Sequence, residues 1–188
     1  MTTYTIIGGI NGAGKSSLTG VLRTERCDFG TVIDADILTA KAGGDKLKGG
    51  RTAVRLIDSC LEHMVNFTQE TTLSGKKTLR TILAAREKGY HIRLYYVGIS
   101  SPEESIARIE NRVRKGGHDI PPEVVKRRYE SRNADLAGIL PYCDEAHFYD
   151  NENGFVHVGE YRNGELAGLC SPLPGWLEEF ENYLSGSY

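Results

Sequence analysis

The chain has 188 residues, of which 39% are hydrophobic and 26% charged, and its formal net charge is −2. That length and balance fit one ordinary globular domain, large enough to bury a core without disulfide or metal staples. The near-neutral charge gives no global pull toward nucleic acid or a membrane surface, so neither is expected as a partner.

The four cysteines, Cys27, Cys60, Cys143 and Cys170, include no C-x-x-C pair. Reduced, mostly packed thiols of a cytoplasmic protein are therefore expected, rather than a zinc ribbon or a redox pair. No basic segment leads into an apolar run at the start, so no signal peptide is read. No stretch reaches the length of a membrane helix. Without repeats, low-complexity tracts or linkers, residues 1–188 read as a single domain.

Thr3-Tyr4-Thr5-Ile6-Ile7 predicts a first strand. Gly9-Ile10-Asn11-Gly12-Ala13-Gly14-Lys15-Ser16 follows, with the G-x-x-x-x-G-K-[ST] spacing of a phosphate-binding P-loop. Glycines let such a loop turn tightly and aim successive N–H groups at phosphate oxygens. Lys15 supplies a charge for the outer phosphates, and the Ser16 hydroxyl can ligate Mg²⁺. Ser16–Leu22 starts a helix, whose positive N-terminus suits the same anion. Gly9, Asn11, Gly12, Ala13, Gly14, Lys15, Ser16 and Ser17 are thus the candidate ATP-binding residues, with Ser16 as the metal ligand.

Gly30–Asp34 predicts a short strand ending in acid. Leu38–Gly50, rich in Lys and Gly, reads as loop or irregular helix. Ala53, Leu56, Ile57, Cys60, Leu61 and Met64 recur at helical spacing across Thr52–Val65. Asn66–Leu73 reads as a strand and Lys77–Lys88 as an amphipathic helix ended by Gly89. Tyr90–Ile99 is the longest predicted strand, and it ends without a Walker-B aspartate. That ending, and the lack of an N-K-x-D run, argue against motor ATPases and switch GTPases. They fit small P-loop kinases, whose metal takes an acid from elsewhere. Ser101-Pro102-Glu103-Glu104 opens a well-capped helix to about Arg114. After Gly116-Gly117, Pro121-Pro122 opens another to about Leu140, and the pair over about 102–140 reads as a lid. Ala146–Tyr149 is a last core strand. Residues 154–169 form a hairpin around Asn163-Gly164, and Gly175–Leu184 a helix led by Trp176.

Alternating strands and helices predict an α/β fold: a P-loop, nucleotide-kinase-like three-layer sandwich with a mainly parallel sheet. Ligands of such sheets sit beyond the carboxyl ends of the strands, which gathers the P-loop, Asp34/Asp36 and Glu70-Thr71-Thr72 on one edge. Phosphoryl transfer to an alcohol needs a carboxylate to orient the hydroxyl and take its proton. Two carboxylates at i and i+2 of an extended stretch face one way, so Asp36 is read as the base, with Asp34 supporting the metal, loop or substrate. The plain alternative is that these aspartates cap the next helix. Glu70, Thr71 and Thr72 suit substrate hydroxyls or Mg²⁺-bound water, and a surface strand end explains them equally well. In the basic lid, Glu104–Arg108, Glu110–Arg114 and Glu123–Arg127 are i,i+4 pairs. Arg112 and Arg128 have Arg108 and Val124 at i−4, so they are preferred over Arg114 and Arg132 for stabilising the transferring phosphoryl group. His118 and Asp119 are possible hinge or substrate contacts, and Asp150-Asn151 is either a simple turn or an approach to the base.

The P-loop, Asp34-Ala35-Asp36, Glu70-Thr71-Thr72-Leu73-Ser74-Gly75, Arg112–Pro121, Arg127-Arg128-Tyr129 and Tyr149-Asp150-Asn151 together resemble the zeta-toxin family of P-loop kinases over roughly residues 4–151. That resemblance implies transfer of the ATP γ-phosphate to a hydroxyl of UDP-N-acetylglucosamine or a related sugar nucleotide, and an antitoxin-like partner. It implies ATP and Mg²⁺ at Lys15 and Ser16, a base at Asp36, substrate positions at Glu70 and Thr71, and lid arginines at Arg112 and Arg128. The family often carries Asn where Asp34 stands, and Ser131 stands where a further arginine is expected. Two other readings remain open: a small-metabolite kinase for gluconate- or shikimate-like acceptors, and an ATP-binding regulator or toxin–antitoxin component that transfers nothing.

Overall fold

The computed structural model describes residues 1–117 and 119–186, so the possible hinge His118 lies outside the described residues. In chain order the elements are β1 (Thr3–Gly8), α1 (Lys15–Glu25), β2 (Thr31–Asp34), α2 (Ala35–Lys41), α3 (Lys46–His63), β3 (Phe67–Thr71) and α4 (Lys77–Glu87). Then come β4 (His91–Gly98), α5 (Pro102–Arg114), α6 (Pro122–Ala137), β5 (Glu145–Asp150), β6 (Val156–Arg162), β7 (Glu165–Gly168) and α7 (Gly175–Ser185). The strands make one sheet in the order β2-β3-β1-β4-β5-β6-β7. It is parallel from β2 through β5 and antiparallel where β6 and β7 extend it.

Every residue of β1 is buried, as a central strand covered on both faces requires. Tyr4 and Ile6 face one way and pack with Phe67, Ile92, Leu94 and Phe148 against α3, α4, α6 and α7. Ile7 faces the other way, with Tyr95 and Val97, against Leu18 and Leu22 of α1. The period-2 alternation of one strand thus sorts its side chains into the two outer layers. The helices α5 and α6, which the sequence predicts as a lid, share a small core of their own with the segment between them: Ile109, Ile120 and Val125.

The segment read as loop or irregular helix is helical on both sides of a short break. Residues 42–45 interrupt it, with Gly43 and Gly44 at φ 71 and 90. Asp45 then caps α3 by accepting from the Lys48 amide at 2.9 Å, so that helix starts six residues before Thr52. Gly49 stays helical because α2 crosses there: an added Cβ would lie 2.3 Å from Thr39 Oγ1. Close packing overrides the poor helix propensity of glycine. The helix opened by Pro121-Pro122 ends at Ala137, and a single 3₁₀ turn covers Leu140–Tyr142. All four cysteines are free, Cys60 and Cys143 buried, Cys27 and Cys170 exposed. Among the described residues no helix is long and apolar enough to cross a membrane.

α7 is fastened under the end of β4 by Trp176. Its ring fills the place of a side chain on Gly98, where an added Cβ would lie 2.0 Å away, and its indole N–H donates to Asp150 Oδ1 at 2.8 Å. Trp176→Ala is expected to lower the unfolding free energy by about 3–5 kcal/mol in a urea titration, as loss of a large buried ring does. Leu184→Ala, on an exposed position of the same helix, should stay within about 0.5 kcal/mol of the parent.

Candidate active site

Beyond Gly8 the chain leaves β1 between its neighbours β3 and β4, the crevice in which open α/β sheets hold ligands. Gly12 and Gly14 adopt φ 78 and 104, and both lie against neighbouring atoms. A Cβ on Gly12 would sit 2.6 Å from the Ser105 carbonyl oxygen, and one on Gly14 2.4 Å from Asn151 Nδ2. Gly14 stands at the cap of α1 and has no side chain to occupy the first amides. That helix end is therefore open to an anion. The Lys15 ammonium donates to the Ile10 carbonyl at 3.0 Å. Burial lowers its pKa, while Glu70, Asp36 and Asp34 raise it and Arg128 lowers it further.

Glu70 lies one strand away, opposite both Ile7 on β1 and Asp34 on β2. Its carboxylate accepts from Ser16 Oγ at 2.7 Å and Thr19 Oγ1 at 2.6 Å. Burial raises its pKa, and the two hydroxyls pull it down. An acid on the strand beside the P-loop strand is thus bonded to the loop serine. Its position emerges only from strand order, because β3 adjoins β1 and the long strand β4 carries no such residue.

The extended reading of Asp34-Ala35-Asp36 is corrected. The chain turns helical at Ala35, and Asp34 caps α2, its Oδ1 accepting from the amides of Asp36 at 2.7 Å and Ile37 at 3.3 Å. Asp36 lies exposed in the first turn and faces the cleft. Thr71 Oγ1 approaches Thr78 Oγ1 at 3.2 Å and accepts from the Leu73 amide at 3.1 Å, tying the end of β3 to α4.

One cleft of about 660 Å³ collects Asn11, Gly12, Gly14, Lys15, Ser16, Ser17, Asp34, Asp36, Glu70, Thr71, Thr72, Arg112 and Arg128. Gly9 and Ala13 do not line it. Ala13 is fully buried, and Gly9 backs onto the Val97 carbonyl. Arg128 reaches from α6 to donate to Asn11 Oδ1; burial lowers its pKa and Asp36 raises it. Arg114 is on the surface beside Glu110 at 3.9 Å, and Arg132 lies 3.7 Å over the Tyr129 ring and pairs with Glu179. Asp119 is exposed. Asn151 donates to the Ala13 carbonyl at 2.7 Å, bracing the P-loop from behind.

The cleft also contains Gln69, Lys77 and Arg108, which the sequence does not single out. Arg108 forms the expected pair with Glu104, and the same nitrogen donates to the Asn151 carbonyl. A helical ion pair and a place in the cleft are compatible. Lys77 opens α4 just past the Glu-Thr-Thr block, and that position beyond a strand end is the signal that marks it.

Fold and site together define a P-loop domain of the kinase type. Residues 46–153 match the family model described as Zeta toxin. An uncharacterized protein of Haemophilus influenzae (strain ATCC 51907 / DSM 11121 / KW20 / Rd) is 33% identical over 126 residues, or 64% of this chain and 88% of that one. The chain belongs to the zeta-toxin family. The P-loop, Asp34 and Asp36 precede the matched stretch, so their placement rests on the geometry above. Two solved structures share the fold. That of the PezAT chromosomal toxin–antitoxin system of Streptococcus pneumoniae has a TM-score of 0.64 at 16% identity, over 99% of this chain and 87% of that chain. AvrRxo1-ORF1:-ORF2 with ATP has a TM-score of 0.70 at 15% identity, over 97% of this chain. The chain spans only 63% of that second protein's length.

Burial holds a proton on Glu70 more tightly in the folded chain than in the unfolded one. Its contribution to stability therefore falls as pH rises from the ordinary carboxylate range through the raised value. Relative to the parent, Glu70→Gln should gain stability steadily across that window. Urea midpoints at intervals between about pH 4 and 8 read the difference.

Proposed function

We propose that the protein is a Mg²⁺-dependent kinase that transfers the γ-phosphate of ATP to a hydroxyl of an anionic acceptor, with a UDP-amino sugar as the preferred one. The observation that carries this reading is the meeting of Lys15, Asp36 and Arg128 across one cleft. The amides of Gly12 and of residues 14–16, with the Lys15 ammonium, would bind the triphosphate. Ser16 would hold Mg²⁺ directly, and Glu70, already bonded to that hydroxyl, would hold a water of its shell. The metal neutralises charge on the phosphates. Asp36 accepts the proton of the acceptor hydroxyl, while Arg112 and Arg128 close from the lid on the transferring group.

Five cations (Lys15, Lys77, Arg108, Arg112 and Arg128) and three acids (Asp34, Asp36 and Glu70) line the cleft. The chain as a whole carries −2. The cleft therefore concentrates positive charge where anions must enter. Lys77, across from the P-loop, supports an acceptor that brings its own phosphates. UDP-N-acetylglucosamine itself comes from the family resemblance. An antitoxin-like protein that covers the cleft belongs to the same proposal and extends the pairing named for PezAT.

The test is ADP release and mass-spectrometric detection of a phosphorylated product, with UDP-N-acetylglucosamine and then a metabolite mixture as acceptors. Asp36→Asn is expected to lower turnover by about 10²–10⁴-fold with ATP affinity retained, and Lys15→Met to lose ATP affinity itself. Equal turnover in Asp36→Asn removes that residue as base. No acceptor-stimulated ADP release with any mixture overturns the kinase reading in favour of an ATP-binding regulator.

A further inference from the structure

The sheet face that carries α1 continues across β5 and β6, and there it holds groups the phosphate cleft does not use. Phe148 pairs with Gly159 and Tyr149 with His157, so β6 bulges at Val158. Residues three apart on a regular strand face opposite sides of a sheet. The bulge turns His157 and Glu160 to the same side, next to His147, which pairs with Glu160 across the strands.

Glu160 Oε1 lies 3.4 Å from His147 Nδ1 and 3.7 Å from His157 Nε2, and the three ligand atoms fall within 4.8 Å of one another. Tetrahedral zinc, with bonds of about 2.0–2.1 Å, sets its ligands roughly 3.4 Å apart. His157 Nε2 is buried without a hydrogen-bond partner, a condition folded proteins rarely leave unanswered. The other nitrogen of His147 faces Glu145 Oε2 at 3.4 Å, the carboxylate that commonly stands behind a metal-bound imidazole. Tyr95 stacks on His147 at 5.1 Å and Tyr149 on His157 at 4.9 Å, which fixes both rings. Burial lowers the pKa of His147 against the pull of Glu145 and Glu160, favouring the neutral ring a metal needs. One cation opposes a second: Arg162 Nε approaches Glu160 Oε2 at 3.5 Å, and its Nη2 approaches Glu145 Oε2 at 3.6 Å. It engages Glu160 through the oxygen turned away from the imidazoles.

We propose that His147, His157 and Glu160 form a binding site for a divalent transition metal of the zinc class, with water as the fourth ligand. Two imidazoles and one carboxylate suit Zn²⁺ or Co²⁺ rather than Mg²⁺. Bound there, the ion ties β5 to β6 beside residues 151–155. Asn151 in that connection braces the P-loop, and Phe155 packs against the P-loop residues.

The full chain, stripped with EDTA and dialysed, is titrated with Zn²⁺ alone by calorimetry and with Co²⁺ by visible absorption. One equivalent of Zn²⁺ and a rise in Tm are expected, with a cobalt spectrum of nitrogen and oxygen rather than thiolate ligands. His157→Gln and Glu160→Gln should each weaken binding at least about tenfold, and Mg²⁺ should give no matching shift. Circular dichroism checks that both variants are folded, and either one suffices for the comparison. A parent chain that binds no Zn²⁺, variants that bind as tightly as the parent, or a thiolate spectrum pointing to exposed Cys27 or Cys170, overturns the proposal. None of these outcomes depends on kinase activity.

Discussion

Close packing against the bare backbone of the P-loop glycines is the constraint from which the working end of the molecule follows. Gly12 presses on the first turns of α5 and Gly14 on the connection after β5. Ser105 donates its hydroxyl to the Asn11 carbonyl, and Asn151 donates its side-chain amide to that of Ala13. These contacts fix the loop's shape in the free chain, so a ligand bound there would pay little for ordering it. A side chain at Gly12 would press on the α5 backbone, and one at Gly14 would displace the Asn151 amide from the loop.

Electrostatics act against charge in the cleft. Lys15 and Glu70 are both taken out of water, and burial moves each pKa toward the neutral form. A phosphate tail and a hydrated cation would restore charge partners to both. The folded chain therefore holds these two groups at some cost in stability, as preorganised charge commonly does.

Local signals were readable in the sequence wherever the chain itself carries the information. The P-loop, the Ser101 cap and the Asn163-Gly164 hairpin are each specified by residues a few places apart, and each folds as predicted. What depends on distant partners was not readable. Gly49 is helical because Thr39 lies against it. Glu70 meets Ser16 because β3 happens to adjoin β1. Arg108 has a sufficient local partner in Glu104, and nothing in the sequence shows that its guanidinium also reaches Asn151. Asp34 and Asp36 do not share an extended face for a local reason: the capping aspartate ends the strand and starts the helix in one residue. His147, His157 and Glu160 come together through a bulge that no alternation pattern announces.

The bond from Asn151 to the Ala13 carbonyl spans 138 positions of the chain, and it has a meaning for synthesis. A ribosome delivers the phosphate cradle among the first residues, yet the brace behind it emerges only after most of the domain is made. Nascent fragments thus carry the recognisable motif without its support. Whatever the loop gains from this brace, it gains late in synthesis, once the fifth strand has joined the sheet.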